Sequence, residues 1–300
     1  MKSKHVMRVM LGFYILLFFG YLFGPIIVMA ITAFNPPNYP QAYPIEGFTL
    51  DWFVKLWNDR AMMDGLTNSI IIGACVVAIS VPVGLAAAII MTQIYHRARG
   101  LFYLVTISPL LTPGVIIGIS TVIFWKDVMS VTEVTKAVFY KGVVLATLGQ
   151  ASFISAYVLL IFMARLTRFD RAQEEAALDL GASHPQVFWQ ILLPFLKPAI
   201  VSAVVIAFLS SFENYNTTTF AILADRTLVT VLAGQVRQGT TPALSALAVV
   251  IIGLSLAGAI TFEVLKRREQ KQAEIAQMRA KMAESAEVGA GDKLEAAVPA

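Results

Sequence analysis

Apolar residues in this chain come in long runs separated by short polar stretches. The runs lie near Met10–Phe34, Ser69–Met91, Leu101–Trp125, Val143–Ala164, Ala199–Leu223 and Pro242–Leu265. Each is about as long as the ~20 residues a helix needs to cross a bilayer. The pattern predicts an all-α membrane protein with six transmembrane helices. The first run follows Lys2, Lys4 and Arg8 and contains a small-residue "VMA" stretch. It is much longer than the roughly 7–15-residue core of a signal peptide, so an uncleaved span is expected. Pro25, Pro82, Pro109 and Pro113 fall inside the runs. Such prolines either kink packing helices or shape a path through the bundle.

Composition agrees with the pattern. Hydrophobic residues make up 57% of the 300 residues and charged residues 14%, against about 25% charged in soluble domains; mean hydropathy is +0.71. The formal charge of +4 does not point to nucleic acid, because the basic residues flank apolar runs. Cys75 is the only cysteine, which excludes an internal disulfide and argues against a Cys-based metal site.

Basic residues set the expected orientation. Lys2, Lys4 and Arg8, then Arg97 and Arg99, then Arg165, Arg168, Arg171 and Lys197, then Lys266, Arg267 and Arg268 occupy alternate loops. Both termini are therefore expected in the cytoplasm. The expected organisation is a cytoplasmic N-terminus over 1–8, six spans over 9–265 with a cytoplasmic loop at 167–198, and a polar tail over 266–300. That tail begins as a helix and then frays, and no role is assigned to it. The first outer loop, Asn35–Asp64, carries "LDWFVKLWND", where Trp52 and Trp57 suit an interfacial helix.

Two segments depart from the apolar pattern. In Thr167–Pro198, "DRAQEEAALDL" favours a helix, and Gly181 is placed to stop it. Ser183 or His184 then precedes Pro185, which suits a helix start. Val187, Phe188, Ile191 and Leu192 have helical spacing, and Pro194 and Pro198 are expected to turn the chain back toward the membrane. The segment is either an amphipathic hairpin sealing the bundle or a docking surface. The second departure is "IAFLSSFENYNTTTFAIL", which puts Glu213, Asn214, Tyr215, Asn216 and Thr217–Thr219 in the fifth run. An acidic residue inside a span is a candidate functional site; at the membrane boundary it would simply be solvated. A carboxylate with an aromatic ring suits an ammonium ion and repels phosphate or sulfate. No phosphate-cradling Gly-rich loop ending in Lys-Ser or Lys-Thr occurs, so ATP chemistry on this chain is not expected.

The first segment resembles the signature loop of binding-protein-dependent ABC importer permeases: Glu175, Ala176 and Ala177, three residues, Gly181, nine residues, Ile191, one residue, then Leu193 and Pro194. The resemblance implies a type I ABC importer permease (MetI-like) fold with six spans and both termini inside the cell. It implies that the loop holds a coupling helix seated in a cleft of an ATP-hydrolysing subunit. It further implies two ATPase subunits, a second homologous permease subunit, an extracytoplasmic solute-binding protein and a place in the bacterial inner membrane among lipid. No cofactor is implied on this chain, since ATP and Mg belong to the partner. Within the family the chain is similar to the second permease subunit of spermidine/putrescine importers, through Ser211, Phe212, Glu213 and "GTTPALSALA" at Gly239–Ala248. Asn214 departs from that pattern, since a second acidic residue is often found there. Relatives carrying iron, thiamine, opines or aminophosphonates are alternatives. A secondary transporter would need buried charges in several spans or an internal repeat, and only Glu213 and Glu263 are candidates. A non-transporting membrane scaffold is a third class, against which the loop motif argues.

Overall fold

The computed structural model describes residues 2–129, 140–258, 260 and 264. In chain order the helices are α1 (Lys2–Phe34), α2 (Asp51–Asn58), α3 (Arg60–Gln93), α4 (His96–Leu111), α5 (Gly114–Met129), α6 (Gly142–Leu166), α7 (Ala172–Asp179), α8 (His184–Val187), α9 (Leu193–Phe212), α10 (Thr218–Ala221), α11 (Leu228–Gln238) and α12 (Pro242–Gly258). Among the described residues no strand occurs. Four stretches are long and apolar enough to cross a membrane: Val6–Phe34, Arg60–Gln93, Gly142–Leu166 and His184–Phe212. Part of the expected sixth span, Glu263 and the tail from Lys266 lie outside the described residues. The chain divides into two compact units, Met1–Val54 with Thr241–Ala300, and Lys55–Thr240.

In the first unit, α1 meets α12 through a buried hydrogen bond, where Thr32 Oγ1 donates to Ser245 Oγ at 2.8 Å. The following loop is wound around Asn35. Its side-chain amide donates to the carbonyls of Gln41 and Pro44 at 2.9 and 3.1 Å and accepts from the Glu46 N–H at 2.9 Å. The Asn35 carbonyl takes the Trp52 indole N–H at 2.8 Å. Trp52 is consequently buried, contrary to the expectation of an interfacial side chain, whereas Trp57 is 76% exposed. An indole N–H with a protein partner can leave water, and Trp52 has one.

The second unit is built on a seam of small residues. The buried face of α3 runs through Ser69, Gly73, Val76, Ser80, Gly84 and Ala88, close to every fourth position. On α9 the buried positions Ala199, Ala203, Ala207 and Ser211 keep the same interval. Small side chains let helix backbones approach closely, which matters where lipid removes the hydrophobic drive between helices. A Cβ on Gly84 would lie 2.6 Å from Val158 Cγ1 and 2.9 Å from the Ser155 carbonyl oxygen of α6. One on Gly73 would meet the Phe208 ring of α9 at 2.8 Å. Large apolar residues then fill the core around the seam, with Leu145, Ile154, Leu159 and Phe162 of α6 and Leu196 of α9 fully buried.

The expected third span is not one helix. α4 and α5 meet at an angle of 101° across Thr112 and Pro113. A residue before proline is pushed out of the helical region, and Thr112 is extended, with φ −84° and ψ 132°. The fifth run is also interrupted. α9 stops at Phe212, and a short irregular stretch precedes α10.

The seam yields a test. Even the single methyl of Gly84→Ala overfills the α3–α6 contact, which should cost about 1–3 kcal/mol. A lower apparent Tm in detergent is expected, while Gly100→Ala, where nothing lies within 4 Å, should leave it in place. Equal melting of the two variants would remove close packing at Gly84 as a determinant of the fold.

Candidate functional site

Two regions hold the sequence-selected residues. The first is the hairpin. α7 starts where Asp170 Oδ1 accepts the Ala172 N–H at 3.0 Å, and Glu174 and Glu175 in its first turn suit the positive end of the helix dipole. It ends in a Schellman motif: Ala182 N–H bonds the Ala177 carbonyl at 3.0 Å and Gly181 N–H bonds that of Leu178 at 2.9 Å. Gly181 has φ +87°, the left-handed conformation that glycine adopts without penalty. The next helix opens at Ser183, whose N–H donates to Gln186 Oε1 at 2.7 Å.

Pro194 and Pro198 do not turn the chain. The helix runs continuously from His184 to Phe212, and Ala199 lies well inside it. A π turn at Phe188–Leu192, closed by Leu193 N–H on the Phe188 carbonyl, precedes Pro194. Proline in a helix clashes with the carbonyl four residues back, and the widened turn relieves that crowding. Within the motif, Glu175, Ala176, Gly181 and Pro194 are exposed, and Ala177, Ile191 and Leu193 are half-buried. α7 has no buried residue, and Leu180 at the hairpin tip is 89% exposed.

Two arginines tie this hairpin to the bundle, although in the sequence they served only as orientation charges. Arg171 donates to the Thr92 carbonyl at the end of α3 at 2.8 Å. Arg165 donates to the Phe195 carbonyl at 3.1 and 3.2 Å, and its guanidinium lies 4.1 Å from the centre of the Phe195 ring.

The second region is the break after α9. Glu213 caps that helix and is exposed. Asn214 shapes the break: its Oδ1 accepts the N–H groups of Thr217 and Thr218 and the Thr218 hydroxyl, at 3.1, 3.2 and 3.2 Å. Buried Gln150 of α6 spans the interruption, donating to Thr218 Oγ1 at 2.7 Å and accepting from Ser211 Oγ. The break is pressed onto glycines of α5: Cβ atoms on Gly114 and Gly118 would lie 3.0 Å from Thr217 Oγ1 and 2.5 Å from the Thr217 carbonyl oxygen. Tyr215 is already engaged, its hydroxyl accepting from Arg237 at 3.0 Å. Asn216 is exposed and borders a cavity of about 190 Å³ with Thr217, Thr112, Phe153 and Tyr157. Sequence reasoning missed Gln150, Phe153 and Tyr157. Gln150 was detectable as an amide inside an apolar run, whereas the aromatic pair looked like ordinary core.

Comparison with known proteins places this architecture. Residues 80–271, which include the hairpin and the break, match the family described as binding-protein-dependent transport system inner membrane component. The putrescine transport system permease protein PotI of Escherichia coli (strain K12) is 29% identical over 262 residues, covering 86% of this chain and 91% of that protein. The spermidine/putrescine transport system permease protein PotC of Haemophilus influenzae is 27% identical over 262 residues, covering 83% and 93%. A solved bacterial ABC transporter involved in the import of the acidic polysaccharide alginate shares the fold, with a TM-score of 0.65 over 87% of this chain and 94% of that one at 17% identity. The chain belongs to the binding-protein-dependent transport system inner membrane component family and is a permease subunit of an ABC importer.

Proposed function

We propose that this permease forms part of a translocation pathway for a polyamine, a putrescine- or spermidine-like cation. The observation that carries the proposal is Glu213, an exposed carboxylate where the apolar helix α9 stops. Such a charge attracts an ammonium ion and repels phosphate. The likeness to PotI and PotC supports the same cargo. Iron, thiamine, opines and aminophosphonates remain the competing solutes, and a ligand screen on the cognate solute-binding protein separates them. A secondary transporter is less well supported, because among the described residues no Asp, Glu, Lys or Arg is buried.

The working unit in this proposal is two ATPase subunits, this chain, a second homologous permease subunit and a solute-binding protein outside a bacterial inner membrane. Six spans occupy 9–265, with 1–8, the loop 167–198 and the tail 266–300 in the cytoplasm. ATP and Mg sit on the ATPase, and this chain contributes no catalytic residue. Glu175, Ala176, Ala177, Gly181, Ile191, Leu193 and Pro194 form the coupling surface. The absence of any buried residue on α7 and the bare Leu180 tip suit such docking.

Three outcomes check the proposal. A Cβ on Gly181 would meet nothing within 4 Å, yet Gly181→Val forces a β-branched residue to φ +87°, at a cost of roughly 1–2 kcal/mol. Insertion should persist, while uptake and substrate-stimulated ATP hydrolysis should be lost. Normal stimulation would sink the docking assignment.

In a Cys75→Ala background, single cysteines at the exposed positions Asn38 and Thr240 should react with an impermeant thiol reagent added outside cells, and one at Gln186 should not. External labelling at Gln186 would reverse the orientation.

Glu213→Gln keeps the shape and removes the charge. Uptake of radiolabelled putrescine or spermidine should fall about ten- to hundredfold if a charge-assisted hydrogen bond is lost, with the complex still assembled. Undiminished uptake in Glu213→Lys would end the role of this carboxylate in the pathway.

A further inference from the structure

The cavity of about 190 Å³ lies where both helix interruptions of the Lys55–Thr240 unit come together. Thr112 and Gly114 line it from the α4–α5 break, and Asn214, Asn216 and Thr217 from the break after α9. Phe153 and Tyr157 of α6 complete the wall as an edge-to-face pair with centroids 6.3 Å apart.

The polar groups around this cavity divide into two sets. Thr112 and Asn214 are spent on the fold: Thr112 Oγ1 donates to the Ser108 carbonyl at 2.8 Å, and Asn214 Oδ1 takes its three donors. Thr217, Asn216 and Tyr157 are not. Thr217 is fully buried, and its Oγ1 is the one buried side-chain polar atom among the described residues that has no hydrogen-bond partner. Among the described residues, the Asn216 amide and the Tyr157 hydroxyl also have no hydrogen-bond partner. A hydroxyl buried without a partner costs about 1–3 kcal/mol, which a bound donor would recover. The three groups offer three neutral oxygens, and a primary ammonium carries three N–H donors. The two ring faces add cation–π attraction. No Lys or Arg lines the cavity, so a carboxylate or phosphate would find no countercharge there.

We propose that this cavity receives a terminal ammonium group of the transported amine, through Thr217 Oγ1, Asn216 Oδ1 and the Tyr157 hydroxyl, beside the Phe153 and Tyr157 rings. The proposal rests on the polyamine cargo proposed above and gives that cargo a second contact separate from Glu213, which does not line the cavity. Tyr215 does not line the cavity, and its hydroxyl already accepts from Arg237.

The test is import of radiolabelled putrescine by the complete transporter in proteoliposomes, with saturating solute-binding protein. Thr217→Val, Asn216→Ala and Tyr157→Phe each remove one oxygen, and each should slow import about tenfold or more, while Thr217→Ser should retain it. Complex abundance is followed by copurification of the ATPase. If Thr217→Val does not assemble, the other two variants decide the matter, because Asn216 and Tyr157 are exposed. Wild-type import with Asn216→Ala and Tyr157→Phe unchanged overturns the cavity assignment and leaves the polyamine cargo standing. A wild-type transporter that imports neither putrescine nor spermidine overturns the cargo, and the ammonium site falls with it.

Discussion

Close backbone contact along one seam is the constraint on which the larger unit depends. In lipid, apolar side chains gain little by leaving one apolar surface for another, so helix association rests on dispersion and on how nearly two backbones can meet. The four-residue spacing of small side chains on α3 and α9 brings both helices against α6. α6 is thereby the most enclosed of the membrane-crossing helices, with 61% of its apolar window buried. Whatever α6 presents inward is held in place by neighbours on several sides.

What α6 presents is a polar device. A chain that stops being helical among apolar neighbours leaves N–H and C=O groups that no water can satisfy. Gln150 and Asn214 meet that demand at the break after α9. The Thr218 hydroxyl serves as acceptor for one and donor to the other, so the two amides act as a single unit. Gln150 holds Ser211 on the near side and Thr218 on the far side, which fixes the geometry of everything between them. The irregular stretch is therefore ordered, and it sets Glu213 at the end of a helix instead of within one.

Much of the fold was legible in the sequence, because apolar run length is a strong signal and the hairpin motif has fixed spacing. The Gly181 stop could be read directly, since a left-handed helix end has few residue solutions. The interruptions were harder. Pro113 was visible, but a proline can kink a helix or end it, and the turn of the backbone at Thr112 depends on what packs around it. Pro194 misled in the opposite direction, since a π turn absorbed its ring and the helix continued. The network around Gln150 and the cavity beside Tyr157 could not be read, because they join distant parts of the chain, Gln150 with Thr218 and Tyr157 with Asn216. Trp52 shows the same limit on a smaller scale: its burial depends on a carbonyl that the apolar pattern does not display.

The uninterrupted run from His184 to Phe212 has a mechanical consequence. It contains 29 residues, which at about 1.5 Å per residue makes a lever of about 43 Å. One end carries the hairpin and the other ends at Glu213. A rod of about that length that tilts by about 5° sweeps its far end through about 4 Å, more than the diameter of a water molecule. Arg165 holds this run at the Phe195 carbonyl, and Arg171 ties the hairpin itself to the end of α3. Helix alone connects the hairpin to Glu213, so no loop lies between them to absorb a displacement at either end.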